Sequence, residues 1–162
     1  RNRRWRVTAS YAYLDAGFRD PQLLSSNSPA ADADGVISVR RGDRLPMSPA
    51  HRITFTTDWD MIPAWSVGGD LRWQSGQYLV GDESNEEPKL PGYVTVDLRS
   101  RYRLGSHVEL FGEIDNLLDK RHYSYGAFTG LDGLPPNFNL SNPRTYSPAP
   151  GRAFTVGARM SL

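Results

Sequence analysis

The residues of this 162-residue chain that could hold a metal or move a proton are few. Asp32-Ala-Asp34-Gly35 has the beginnings of a calcium loop. However, Ala30 stands at the first ligand position and Arg41 at the twelfth, where a glutamate is required. His51, His107 and His122 lie far apart, each beside a turn or strand end, and no pair has metal-ligand spacing. There is no cysteine, hence no thiolate ligand and no disulfide. No serine and histidine can be read as a nucleophile and its base. What remains is charge: Arg99, Arg101 and Arg103 recur at every second position, and Glu109 and Glu113 follow in the next segment. Such rows line a wet surface or meet a charged ligand, and they break no bonds. No catalytic residue, metal or cofactor is expected.

Rows of this kind need strands to position them, because only a period of two puts residues i and i+2 on one face. Val94, Val96, Leu98, Tyr102 and Leu104 oppose Thr95, Asp97, Arg99, Arg101 and Arg103. After Gly105-Ser-His107, Val108, Leu110 and Ile114 oppose Glu109, Phe111 and Glu113. Earlier segments repeat the pattern: Trp5 to Tyr13 within residues 4–15, Ile53 to Trp59, and Val67 to Trp73 within residues 66–79. In the last segment Phe154, Val156, Ala158, Met160 and Leu162 oppose Thr155, Gly157, Arg159 and Ser161. Helical periodicity is not found.

The result is about six antiparallel strands, joined alternately by long and short connections, the asymmetry of outer-membrane barrels. Residues 17–49, 80–91 and 118–150 form the long connections, and Met61-Ile-Pro-Ala64 and Gly105-Ser-His107 the short ones. With the terminus on the periplasmic side, every long connection falls outside the cell. Each strand has the ~9–11 residues that a tilted membrane strand needs. Trp5, Trp59, Trp65 and Tyr102 gather toward one rim and Tyr13 and Phe154 toward the other, as interface girdles do. If Gly105-Ser-His107 is a three-residue hairpin loop, Leu104 faces Val108, Arg103 faces Glu109 and Arg99 faces Glu113.

Composition excludes some partners. The formal charge is +1, which gives no reason to expect nucleic acid. Mean hydropathy is −0.54 and no run of eighteen apolar residues occurs, so transmembrane helices are excluded while strands, polar at every second residue, are not. The opening Arg1-Asn-Arg-Arg-Trp-Arg6 has no apolar run behind it, so no signal peptide is visible. Alternation alone also fits a soluble or surface antiparallel β-domain that binds a glycan or a protein.

A resemblance adds to these readings. Val108-Glu-Leu-Phe-Gly-Glu-Ile-Asp-Asn-Leu-Leu-Asp-Lys-Arg-His-Tyr123 resembles the penultimate-strand signature of TonB-dependent outer-membrane receptors. Ala9-Ser-Tyr-Ala-Tyr-Leu-Asp-Ala16, Leu45-Pro-Met-Ser-Pro-Ala-His-Arg52, Leu90-Pro-Gly-Tyr-Val-Thr-Val-Asp-Leu98 and Pro150-Gly-Arg-Ala-Phe-Thr-Val-Gly157 resemble other C-terminal barrel strands of that family, in the same order. There are two departures: Leu118 stands where phenylalanine is common, and Leu162 where an aromatic ending is usual.

The resemblance implies an all-β fold, an antiparallel transmembrane β-barrel of about twenty-two strands of which this chain supplies about six from the C-terminal end. It implies a Gram-negative outer-membrane receptor that imports a scarce nutrient, most often a ferric siderophore, with energy delivered through TonB. Its partners would be outer-membrane lipid, TonB, the ligand and the receptor's own N-terminal plug domain, which is absent here along with the earlier strands. Six strands cannot close a barrel, since the smallest have about eight. Ligand contacts are expected at Tyr123, Tyr125, Phe128, Arg144 and Tyr146 in the third long connection and at Arg40, Arg41 and Arg44 in the first. Arg99, Arg101, Arg103, Glu109, Glu113 and Arg159 are expected as lumen charges. Thr155, Gly157, Met160 and Leu162 are expected as the signal read by the barrel-assembly machinery.

Overall fold

A computed structural model describes residues 4–130 and 142–161. Among these residues ten strands form in chain order: β1 (Trp5–Tyr13), β2 (Gln22–Ser25), β3 (Val36–Val39), β4 (His51–Ile62), β5 (Trp65–Gln74), β6 (Tyr93–Leu104), β7 (Val108–Asp115), β8 (Tyr123–Phe128), β9 (Arg144–Pro148) and β10 (Ala153–Met160). Six of them make one antiparallel sheet in the order β1-β4-β5-β6-β7-β10. These are the six strands that the alternation predicts. β2 with β3, and β8 with β9, form two separate hairpins inside the first and third long connections.

Two boundaries differ from the pattern. β5 ends at Gln74 instead of Leu79, because Leu79 turns into the loop layer and is fully buried there. β4 runs on through Met61 and Ile62, with a register shift between Asp60 and Ile62, and leaves only Pro63 and Ala64 as its turn. The third connection is only partly irregular, since Gly126 and Ala127 of β8 pair with Tyr146 and Thr145 of β9.

Residues in register share a face, so the pairing extends the alternation of single strands across the sheet. Val7, Thr57, Gly69, Leu98, Ile114 and Phe154 form one continuous row. The next row toward the short turns is Trp5, Trp59, Val67, Ser100, Gly112 and Val156. This apolar face is uncovered among the described residues: Phe154 is 70% exposed and Val156 85%. A soluble sandwich would bury it under a second sheet. The indoles toward the short turns keep their N–H groups occupied, Trp5 donating to Thr57 Oγ1 at 2.7 Å and Trp65 to Ser100 Oγ at 2.9 Å.

The buried apolar side chains lie in the connections. Leu79, Leu90 and Phe128 cluster together, and Ile37 and Val39 of β3 are buried as well. The three long connections are thus packed on one another at one end of the sheet. Val80 N donates to Gly126 O at 3.0 Å and Phe128 N to Val80 O at 2.8 Å, which docks the second connection on β8. Arg44 N donates to Asn85 Oδ1 at 2.6 Å, and Asn85 Nδ2 returns a bond to Arg44 O at 3.0 Å, which joins the first connection to the second.

Candidate functional site

The polar face of the sheet carries a charge network that spans three strands and reaches the turn after β7. Asp58 of β4, Gly68 of β5 and Arg99 of β6 stand side by side in register. Glycine leaves open the space a side chain would fill, so the Arg99 guanidinium reaches across β5, with Nη2 donating to Asp58 Oδ1 at 2.8 Å. Arg99 also bonds Asp70, which accepts from Thr56 Oγ1 at 2.6 Å. Arg72 pairs with the buried Asp97, whose other oxygen accepts the backbone N–H of Asn116 at 2.8 Å.

The register expected across Gly105-Ser-His107 is found: Leu104 faces Val108, Arg103 faces Glu109 and Arg99 faces Glu113. The charge partners are different. Arg99 turns toward the gap at Gly68, away from Glu113. Arg103 Nη2 donates to Pro63 O at 2.8 Å, and Glu109 lies 3.8 Å from Arg159 on β10. Arg101 and Glu113 are exposed on this face. Asp58, Asp70 and Asp97 were not among the residues singled out from sequence. The glycine pair Gly68-Gly69 inside a strand is the signal that could have found them, because glycine in a strand interior marks a close approach of other groups.

The Asn116-Leu-Leu-Asp-Lys120 segment is a turn. Asn116 and Asp119 both take positive φ, 49° each. Asn116 Oδ1 accepts from Lys120 N at 2.9 Å and its Nδ2 donates to Lys120 O at 3.1 Å. Asp119 Oδ1 accepts from Arg152 N at 3.1 Å and so fixes the entry to β10. On β10 itself, Thr155 and Gly157 lie on the polar face and Met160 on the apolar one, while Leu162 falls outside the described residues. The ring of Phe111 covers Gly157, at 2.4 Å from where a Cβ would stand.

At the loop end of the polar face, a cleft of about 410 Å³ is lined by Arg52, Thr54, Arg72, Gln74, Tyr93, Thr95 and His122, among others. The rings of Tyr93 and His122 lie against each other at a 34° tilt, 3.9 Å between centroids. Arg72 is already held by Asp97, so Arg52, with an amide, a phenol and an imidazole beside it, is the guanidinium placed to grip an anion with several oxygens through two parallel bonds. Sequence reading missed this group, since its members sit on three strands and a distant turn.

The loop residues expected to meet a ligand are divided by the structure. Tyr123, Tyr125 and Tyr146 are exposed on the β8–β9 hairpin, with Tyr123 and Tyr146 stacked at 4.7 Å. Phe128 of the same hairpin packs inside the loop layer instead of on its surface, with Arg144 5.6 Å over its ring. Arg144 pairs with Glu87 of the second connection. Arg40 lies 3.6 Å from Glu86, Arg44 lies 3.3 Å from Asp15, and Arg41 is exposed. Asp32 Oδ1 accepts from Asp34 N and Val36 N, so the Asp32 carboxylate closes the β2–β3 hairpin.

Beneath the loop layer Asp82 is fully buried, and this pushes its carboxyl up to about 6. Backbone N–H bonds from Glu86 and Glu87 oppose the shift, and the charges of Glu87 and Glu83 add to it. The Asp82 carboxyl is the group that ties the second connection into a compact turn, with Glu86 N donating to Oδ1 at 3.0 Å.

Comparison with known proteins agrees with the geometry. A family model described as TonB dependent receptor-like, beta-barrel, matches residues 2–117. The chain is 30% identical over 146 residues to the metal-pseudopaline receptor CntO of Pseudomonas aeruginosa, a match that covers 87% of this chain and 18% of that one. It is 28% identical over 121 residues to the probable TonB-dependent siderophore receptor PiuA of Acinetobacter baumannii, covering 75% of this chain and 15% of the relative. The chain thus spans less than a fifth of the length of these curated relatives. In fold it matches the crystal structure of the siderophore receptor PiuA from A. baumannii with a TM-score of 0.70 and 21% identity, over 96% of this chain and 19% of that one. The ferric-catecholate import receptor Fiu of E. coli K12 matches with a TM-score of 0.64 and 21% identity, over 96% and 18%. The chain belongs to the TonB-dependent receptor family and is built as an arc of that family's β-barrel.

Proposed function

We propose that this chain is the C-terminal arc of an outer-membrane receptor that imports a scarce nutrient, a ferric siderophore before others. The observation that carries the reading is the polar cleft at Arg52, Arg72, Tyr93 and His122, at the loop end of the polar face. A siderophore offers several carboxylate, catecholate or hydroxamate oxygens, and arginines with aromatic rings suit that chemistry. On this reading the polar face is a lumen wall. Arg101, Arg103, Glu109, Glu113 and Arg159 face the plug, and Tyr123, Tyr125, Tyr146 and Arg41 present the exposed ligand-facing surface. Phe128, Arg144, Arg40 and Arg44 hold that surface in shape.

Among the described residues both sheet edges, β1 and β10, end without a partner strand. In lipid an unpaired edge costs several kcal/mol per group, so the sheet needs further strands to close it. Those strands, the plug and the TonB contact belong to the longer parent on this reading.

The test is growth of a strain deleted for the full-length parent, on single ferric siderophores under iron limitation. The parent gene should restore growth on at least one of them, and Arg52→Gln with His122→Ala should raise the concentration needed. Restoration on none, with normal amounts of receptor in the outer membrane, would remove the siderophore reading.

A further inference from the structure

A second polar cleft, of about 300 Å³, opens at the loop end of the sheet and is lined by Arg44, His51, Ser75, Gln77, Tyr78 and Lys89 among others. It lies on the other side from the siderophore cleft. His51 is in register with Tyr13 and shares the apolar face with Tyr11 and Ile53, whereas its neighbour Arg52 points to the polar face. His51 N donates to Ser75 Oγ at 3.2 Å, which brings Ser75 to the same spot.

The cations here are only lightly neutralised. Lys89 Nζ sits 4.6 Å above the Tyr78 ring, and among the described residues no carboxylate lies within ion-pair distance of it. His51 is flanked by two aromatic rings, with Tyr11 at 6.1 Å and Tyr13 at 5.2 Å, and shares a hydrogen bond of 2.9 Å with the Tyr11 hydroxyl. Arg44 lies 3.3 Å from Asp15, whose side chain is 74% exposed. The guanidiniums of the polar face differ, since Arg99 and Arg72 are each held by aspartates that are mostly buried or half-buried.

Read down the apolar face from this cleft, Tyr13 shares the first row with His51, Tyr11, Ile53 and Trp73 form the next, and Ala9, Phe55 and Leu71 the one below, so aromatic rings stand between the cations and the apolar strip. A membrane lipid has the same order: charged headgroup, interfacial region, acyl chain. We propose that this notch binds the phosphate of an outer-leaflet lipid headgroup, whose acyl chains lie along the apolar strip below. Lys89 and Arg44 supply the positive charge, and His51 and Ser75 supply hydrogen bonds. The inference rests on the outer-membrane reading, and it fixes the height of the sheet in the bilayer.

The test uses the full-length parent purified in detergent and native mass spectrometry, with two probes: lipid A carrying both phosphates, and the same lipid with the phosphates removed. The phosphorylated lipid should be retained in preference. Lys89→Gln should weaken its retention about fivefold, and Arg44→Gln by a similar factor. Arg6→Gln, exposed on the polar face toward the short turns and so at the other end of the sheet from the notch, should leave it unchanged. Equal retention of both lipids would overturn the proposal, as would a Lys89→Gln protein that binds like the parent. Loss of the lipid adduct in millimolar inorganic phosphate would identify free phosphate as the ligand and would also overturn it. Because the measurement is made in detergent, its failure is separate from failure of the transport reading, which the growth test decides.

Discussion

Arg99 and Gly68 are fitted to each other. A carbon placed on Gly68 would stand 2.7 Å from Arg99 Nε and 2.6 Å from Asp58 Oδ1, closer than unbonded atoms approach. The missing side chain on β5 is therefore what lets an arginine on β6 reach an aspartate on β4. Backbone ladders tie each strand only to its neighbours, whereas this link ties a strand to its second neighbour.

Gly68→Val should push the guanidinium off Asp58 and leave both charges poorly paired. A loss of about 1–3 kcal/mol is expected, the range for a part-buried polar group deprived of its partner. Arg99→Gln should cost a similar amount, and the double variant little more than either, because both remove the same contact. Urea unfolding of the full-length parent in micelles measures this. Fully additive losses would show that Gly68 and Arg99 act independently.

The two faces of β6 should answer differently to charge. Val96 lies on the apolar face opposite Leu71, so Val96→Arg should cost about 2–4 kcal/mol if that face meets lipid near mid-span. Arg101 is exposed on the other face, and Arg101→Gln should leave folding nearly unchanged. The same unfolding assay compares them. Full folding of the parent in plain buffer without detergent would contradict a lipid-facing Val96.

The strands were legible because period-two alternation is a local property, and each of the six long strands carries it from Trp5 through Met160. Register across Gly105-Ser-His107 was legible too, since a three-residue connection leaves little choice of pairing. Ion partners were not legible. Arg99 faces Glu113 in the ladder, yet the vacancy at Gly68 draws it toward Asp58, and this depends on which strand lies on its other side. The loop core was hidden for a related reason: Leu79, Leu90 and Phe128 belong to separate connections and come together only when these pack. The β8–β9 hairpin was missed because Tyr123–Phe128 and Arg144–Pro148 are short and lack a clear alternation.

Asp82 should make the loop layer sensitive to pH. Its carboxyl titrates near 6 in the folded chain and near the ordinary 3.8 when the loop opens, so the folded form binds the extra proton between those values. Packing of the loops should therefore strengthen as pH falls from 7 through 6, with the full gain reached below about 4, and weaken again as pH rises. The gain is of order 1–3 kcal/mol. Glu83, Glu86 and Glu87 stand nearby, the last two paired with Arg40 and Arg144. Amide hydrogen exchange of residues 79–90 in the parent, compared at pH 5.5 and 7.5 after correction for intrinsic rates, should show greater protection at the lower pH. Asp82→Asn keeps an oxygen for the Glu86 and Glu87 N–H groups and should abolish the difference.

Sidedness follows from where the connections lie. The loop layer stands at one end of the sheet, and the two short turns, at Pro63-Ala64 and Gly105-Ser-His107, at the other. Long connections outside and short turns in the periplasm is the usual arrangement for outer-membrane barrels. Ser84 is unsuited to test it by labelling, because it is buried at 7% exposure under the loop layer. Ser38 on β3 and Ser106 in the short turn are both exposed, and the chain has no cysteine to interfere. Ser38→Cys in the parent should react with an impermeant thiol reagent on intact cells, and Ser106→Cys only after the outer membrane is breached. The opposite pattern would invert the sheet in the membrane and place the Lys89 notch in the periplasmic leaflet, where lipid A is not found.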